Sequence, residues 1–200
     1  MARVLVIGSG NRDKARELAE LLRGLPWDVK SLADFPPVEE PEETGETFEA
    51  NALLKARYYA KALGGVVCVA DDSGLAVDAL DGAPGIYSAR YAGPDCSYAD
   101  NNEKLLGALE SFAWHERTAR FVCCAAFYDP AGVEHTELGT VEGHIAMEPF
   151  GAQGFGYDPV FVPNGEDRTF GEMTPAEKHR LSHRGRAFAQ LRAWLEKAQP

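Results

Sequence analysis

Asp71 and Asp72 follow a run of five small or β-branched apolar residues, 66–70, and lead straight into Ser73 and Gly74. The run is too short and too β-branched for a helix and reads as a buried strand. Successive strand side chains point to opposite faces, so the two carboxylates are expected to serve different surroundings. One would face a cleft while the other ties down the turn. A carboxylate at the C-terminal end of a buried strand is where α/β proteins tend to place catalytic groups. Asp-Asp-Ser-Gly also makes an ordinary turn through local hydrogen bonds, and residue types alone leave both readings open.

Several cations stand next to glycine-rich stretches: Lys14 after Ser9-Gly10-Asn11, then Lys55, Lys178 and Arg184. Carboxylates near Asp72 together with these cations suit polyphosphate chemistry. A hard divalent cation such as magnesium is held by one or two carboxylates and the substrate's own phosphates. It polarises a phosphoryl oxygen and helps deprotonate a water, while Lys and Arg neutralise the polyphosphate. Ordinary surface placement of the same cations is the competing reading, and spacing does not reject it.

Other chemistries fit less well. His179 and His183 are four apart, but the H-E-x-x-H context and further ligands are missing. There is no G-x-S-x-G elbow, and Ser73 has no evident histidine partner in sequence. The four cysteines form no C-x-x-C pair and read as small buried hydrophobes. Gly8-Ser9-Gly10 is not a dinucleotide fingerprint, because Asp13 takes the place of the third glycine. A strand, turn and helix opening there would present N–H groups to an anion, or would simply cap a helix.

The elements that must position these groups follow from periodicity. Residues 2–8 read as a first strand, and Leu18, Leu21, Leu22 and Leu25 mark one face of the next helix. Residues 33–46 form a loop whose acidic run, Glu39, Glu40, Glu42 and Glu43, is mostly solvated. Thr47 caps a helix running to about Leu63, closed by Gly64-Gly65. Residues 73–97 show no period. Ser97 opens another helix with Asp100 at the capping-box spacing. Residues 118–128 and 133–146 flank Asp129-Pro130-Ala131-Gly132 and predict an antiparallel hairpin. A glycine-rich loop, 151–158, precedes a short strand at 159–163. Thr174-Pro175-Ala176-Glu177 is a complete helix start. That helix ends near Leu181, 182–185 interrupt, and a final helix runs from Arg186 to about Lys197.

The chain of 200 residues is 45% hydrophobic and 26% charged, the balance of a globular protein. Its longest apolar run, 121–128, falls far short of the roughly 20 residues needed to cross a bilayer. The first eight residues lack a signal-peptide core and cleavage site, which predicts a cytoplasmic protein. A net charge of −11 argues against a broad nucleic-acid or membrane surface, but not against a small anion in a local basic pocket.

Six motifs in order carry a family resemblance: Ser9-Gly10-Asn11-x-x-Lys14, Glu43-Thr44-Gly45-x-Thr47-Phe48-x-x-Asn51-Ala52, Asp71-Asp72-Ser73-Gly74-Leu75, Pro84-Gly85-Ile86-Tyr87-Ser88-Ala89-Arg90, Phe155-Gly156-Tyr157-Asp158 and Ser182-His183-Arg184. From about residue 3 to 195 the chain resembles the inosine/xanthosine triphosphate pyrophosphatases, which clear deaminated purine nucleotides from the nucleotide pool. The resemblance implies one α/β domain over 1–200: an elongated mixed sheet with helices on both sides, forming two lobes around a central substrate cleft. It further implies a homodimer and magnesium-dependent hydrolysis of a purine nucleoside triphosphate, between the α and β phosphates, to monophosphate and pyrophosphate.

By matching position, Asp72 would be general base and metal ligand, with Glu43 a second metal carboxylate. Ser9, Gly10, Asn11, Arg12, Asp13 and Lys14 would hold the phosphates with Ser73, Lys55 and Lys178. Phe155, Gly156, Tyr157 and Asp158, with His183 and Arg184, would form the base and sugar pocket. Ser9 departs from the family's usual threonine but keeps the hydroxyl. Two other functions share these features: a septum-inhibitor-like pyrophosphatase acting on other modified nucleotides, and a nucleotide-binding module without catalysis. Asp72, Lys14 and Glu43 together speak against the second.

Overall fold

The computed structural model describes residues 3–198; Ala2, placed in the predicted first strand, lies outside them. Six strands, β1 (Val4–Ile7), β2 (Asp28–Ser31), β3 (Val67–Val77), β4 (Thr118–Asp129), β5 (Val133–Ile145) and β6 (Phe161–Pro163), form one sheet in the order β2-β1-β3-β4-β5-β6. β1 runs parallel to β2 and β3, and β6 runs antiparallel to β5. The sheet is therefore mixed. Five helices accompany it: α1 (Arg12–Leu21), α2 (Phe48–Ala62), α3 (Tyr98–Ala108), α4 (Pro175–Leu181) and α5 (His183–Ala198). Among the described residues no helix is long and apolar enough to cross a membrane.

Backbone contacts divide the chain into two compact units. The first holds Met1–Asp72, Cys123–Gly139 and Arg184–Pro200, the second Ser73–Val122 and Thr140–His183. Strands β3, β4 and β5 each contribute residues to both.

In the first unit, Leu18 of α1, Leu22 at its C-terminal cap, and Phe188, Leu191 and Leu195 of α5 bury against Leu5, Ile7 and Val69 of the strands. This apolar contact is what holds helices whose own propensity is modest. Thr47 caps α2 by accepting a hydrogen bond from the Ala50 N–H. Ala52, Ala56 and Ala60 are fully buried, and such small side chains let α2 lie close to Cys68 and Ala70 of β3. That closeness brings Asn51 and Lys55 within reach of the strand's carboxylates.

In the second unit, Leu105 of α3 and Leu109 at its C-terminal cap join Leu75, Phe121, Ile145, Phe161 and Phe170 in one core. Capping boxes start α3 at Ser97 and Asp100 and α4 at Thr174 and Glu177, as the sequence predicts.

Three expectations need correction. β3 continues through Asp71, Asp72, Ser73 and Gly74 to Val77, so Asp-Asp-Ser-Gly is mid-strand rather than a turn or a strand end. β2 was not expected; it is a four-residue strand, Asp-Val-Lys-Ser, with a single apolar residue. Its place comes from parallel pairing with β1, a long-range contact. The final helix begins at His183, because only Ser182, with extended backbone angles, separates it from α4. The expected hairpin partners, β4 and β5, are neighbours in the sheet, and Gly132 N–H closes their turn on the Asp129 carbonyl at 2.9 Å.

Candidate active site

Asp72 sits in the first unit at 5% exposure with two partners from α2. Lys55 Nζ donates to its Oδ1 at 2.7 Å, and Asn51 Nδ2 donates to Oδ2 at 3.4 Å. The same Lys55 ammonium donates to Glu43 Oε1 at 2.9 Å. Two carboxylate oxygens, one from a strand and one from the loop before α2, thus converge on a single cation. Burial raises the Asp72 pKa above the ordinary carboxylate range, and Lys55 and Lys14 offset only part of that. Burial lowers the Lys55 pKa, but Asp72, Asp71 and Glu43 outweigh it and leave the ammonium more firmly protonated than usual.

Asn51 was given no role from sequence. It is 1% exposed, and its Oδ1 accepts from Gly45 N–H at 2.8 Å while its amide nitrogen meets Asp72. One side chain therefore fixes both the Glu43-containing loop and the carboxylate. A Cβ on Gly45 would fall 2.6 Å from that Oδ1, so the backbone must approach without a side chain. The signal in the sequence was Asn51's place inside the motif beginning at Glu43.

Asp71 points to a different group, as strand alternation requires. Arg184 donates to its Oδ2 from Nε at 3.3 Å and Nη2 at 3.2 Å, and to Glu17 Oε2 from Nη1 at 2.7 Å. Lys14 Nζ stands 3.4 Å from the same Asp71 oxygen. Arg184 is 2% exposed and the Asp71 side chain 0%. Burial works against the guanidinium's charge, but Asp71 and Glu17 more than restore it. Arg184 thus belongs to a buried ion network tying α5 to β3 and α1.

The turn between β1 and α1 is organised by Asn11, whose side-chain oxygen accepts from the Asp13 and Lys14 N–H groups at 3.0 and 3.1 Å. The capping reading of that turn holds. Arg12 is exposed on the first turn, and Asp13 pairs with Arg16 at 3.1 Å. Lys14 reaches inward, at 18% side-chain exposure.

The second unit builds its own constellation. The Phe155 N–H donates to Asp158 Oδ2 at 2.7 Å, and Lys178 Nζ donates to the same oxygen at 2.6 Å. Lys178 also lies 4.8 Å from the centre of the Phe155 ring, in cation–π range. Gly154 has φ of +72°, and a Cβ there would fall 2.0 Å from Asp158 Oδ2, so this turn requires glycine. The Tyr157 hydroxyl donates to the Ser88 carbonyl at 2.9 Å, anchoring the loop to the proline-glycine segment before it. His183 stacks on Phe121, with ring centres 4.5 Å apart. Ser73 is partly buried in β3. Asp72, Glu43 and Lys55 are thus one group, Asp71, Lys14 and Arg184 a second, and Phe155, Asp158 and Lys178 a third. Among the described residues no cluster of three or more His, Cys, Asp or Glu is arranged to hold a metal.

Residues 5–194 match the model of the Ham1 family. The chain is 49% identical over 191 residues to a dITP/XTP pyrophosphatase of Geobacter sulfurreducens, with 96% of each chain covered. It is 47% identical over 191 residues to a dITP/XTP pyrophosphatase of Bacillus subtilis, again with 96% of each covered. Among solved structures, a HAM1 protein from Coxiella burnetii superposes with a TM-score of 0.87 at 42% identity, covering 98% of this chain and 99% of that one.

Proposed function

The chain belongs to the Ham1 family, and from that premise we propose that it hydrolyses deaminated purine nucleoside triphosphates, such as those of inosine, deoxyinosine and xanthosine, to the monophosphate and pyrophosphate. Relatives over nearly their full length named dITP/XTP pyrophosphatase support the substrate class. The observation that carries the chemistry is Asp72, buried and yet held on Lys55 at 2.7 Å.

In this reading Asp72 takes the proton from the attacking water as the anhydride bond between the α and β phosphates breaks and pyrophosphate leaves. A general base works best when its pKa approaches the working pH, and burial moves Asp72 in that direction. Asn51 and Lys55 fix the two carboxylate oxygens, so the base is oriented before substrate arrives. Lys55 and Lys14 supply positive charge for the phosphates. Asp71 and Arg184 position Lys14 from behind. Asp72 and Glu43, whose oxygens gather on one ammonium, would hold magnesium, which needs one or two carboxylates beside the phosphates. When bound, the ion would polarise a phosphoryl oxygen. Assembly as a homodimer and a cytoplasmic location complete the proposal.

Base recognition is assigned to the Phe155 loop. Deamination replaces the adenine 6-amino donor with an oxygen acceptor, and a donor left unpaired against adenine costs up to about 10⁴-fold in selectivity. Lys178, which the resemblance groups with the phosphates, stands on Asp158 and beside the Phe155 ring; in this reading its Nζ is such a donor, and the ring is a stacking surface for the base. Phosphorus NMR of the products tests the reaction: monophosphate and pyrophosphate are expected, and orthophosphate as the first product would contradict the cleavage site.

A further inference from the structure

Helix α3 carries no residue of the three groups above, yet it touches the loop that presents Phe155. Asn102 Nδ2 donates to the Gly156 carbonyl at 3.0 Å, and the Tyr98 ring stands 5.9 Å from the Phe155 ring at 38°. Both helix residues and the loop line one cavity of about 580 Å³, with Leu106, Pro149 and Gln153. Helix and loop are thus two walls of the same cavity. A polar bridge and an aromatic one join the two walls.

Asn102 is an odd choice for stability. It is 8% exposed on a helix whose inward neighbours include Leu105 and Leu109, and its Oδ1 is buried without a hydrogen-bond partner among the described residues. A buried polar atom left unsatisfied works against folding. The one specific bond the amide makes is to the Gly156 carbonyl, which can only accept, so the nitrogen must face the loop. Gly156 itself has φ of +62° and no side chain with which to anchor the loop. Phe155, one residue earlier, has Lys178 against its ring and Asp158 on its N–H. The α3 bridges add a second side of contact to the loop.

We propose that Asn102, with Tyr98, is a positioning residue for base selectivity: the pair holds Phe155–Gly156 at the place where the ring and Lys178 meet a purine. This rests on the reading of that loop as the base site. A group acting through Phe155 alters binding of the base and leaves phosphate chemistry alone, because the Asp72 group draws its hydrogen bonds from α2.

The test compares Asn102→Ala and Tyr98→Ala with the unaltered protein. KM and kcat are measured for inosine and guanosine triphosphates, together with the inhibition constant of inorganic triphosphate, which has no base. The expected result is a rise of roughly tenfold in KM for inosine triphosphate and a smaller preference over guanosine triphosphate, with kcat and the inorganic triphosphate constant within about twofold. A merely structural role would move kcat and the inorganic constant as well. Tyr98 is 39% exposed, so its variant keeps the test alive if Asn102→Ala does not fold. Unchanged KM and selectivity in both variants would overturn the positioning role while leaving the base-site reading intact. An unaltered protein that turns over inosine, guanosine and adenosine triphosphates equally would overturn both.

Discussion

Lys55 Nζ lies 2.7 Å from Asp72 Oδ1, and the two side chains are only 12% and 7% exposed. Neither charge is comfortable there alone. Burial favours neutral forms of both, and the pairing holds the ammonium charged while leaving Asp72 a stronger base than an exposed aspartate. One contact therefore sets the charge of both the ammonium proposed to face the phosphates and the carboxylate proposed as the base.

Lys55→Met removes the largest influence that keeps the Asp72 pKa down. The pKa then rises further, and the acid limb of the pH–rate profile moves to higher pH. A carboxyl whose folded pKa is raised favours the folded state at low pH, a contribution lost as pH rises through that folded pKa. The stability deficit of Lys55→Met should therefore shrink on acidification. Denaturant titrations across pH 4 to about 8 check the second effect, and pH–rate profiles the first.

Asp72→Asn keeps the shape of the side chain and removes the base. Turnover is expected to fall by about 10²–10⁴, while nucleotide affinity changes little. Calorimetric binding beside pyrophosphate release separates the two.

Arg184→Met leaves Asp71 and Glu17 facing each other without their shared cation, in a site where the arginine is 2% exposed. Removing one partner of a buried ion network costs about 3–5 kcal/mol. The measurement is the denaturant midpoint, expected to drop sharply. A midpoint like that of the unaltered protein would show that the network contributes little to folding.

The helix starts were legible because capping is local: Thr174, Pro175 and Glu177 announce α4 within four residues. The alternation of Asp71 and Asp72 was legible too, since a strand leaves adjacent side chains no common face. What could not be read was the length of β3. Asp-Asp-Ser-Gly favours a turn on local grounds, but it lies in β3, between β1 and β4 in the sheet, and its carboxylates meet Lys55, Asn51, Lys14 and Arg184, all distant in sequence. β2 escaped for the same reason, its pairing with β1 being its only strong cue. Asn51 and Asn102 have no distinctive chemistry as residue types; their positions against Asp72 and Gly156 give them roles.

Glu177 offers a second pH effect, opposite in sign. Hydrogen bonds from the Thr174 N–H and hydroxyl, with Arg168 nearby, pull its pKa from 4.5 to about 2. A depressed folded pKa contributes stability above the unfolded value, and that contribution is lost as pH falls from 4.5 towards 2. The start of α4 should fray over that range, seen as faster amide exchange at Glu177 and Lys178. Glu177→Gln should abolish this pH dependence.

The most direct measurement is pyrophosphate release from inosine, xanthosine, guanosine and adenosine triphosphates, each with magnesium and with a chelator. Release from the first two in strong preference, abolished by chelation, is the predicted result. Equal release from all four would contradict the base-recognition half of the account. Release that persists under chelation would contradict the magnesium requirement. The absence of release from any of them, with nucleotide still bound, would contradict the role given to Asp72.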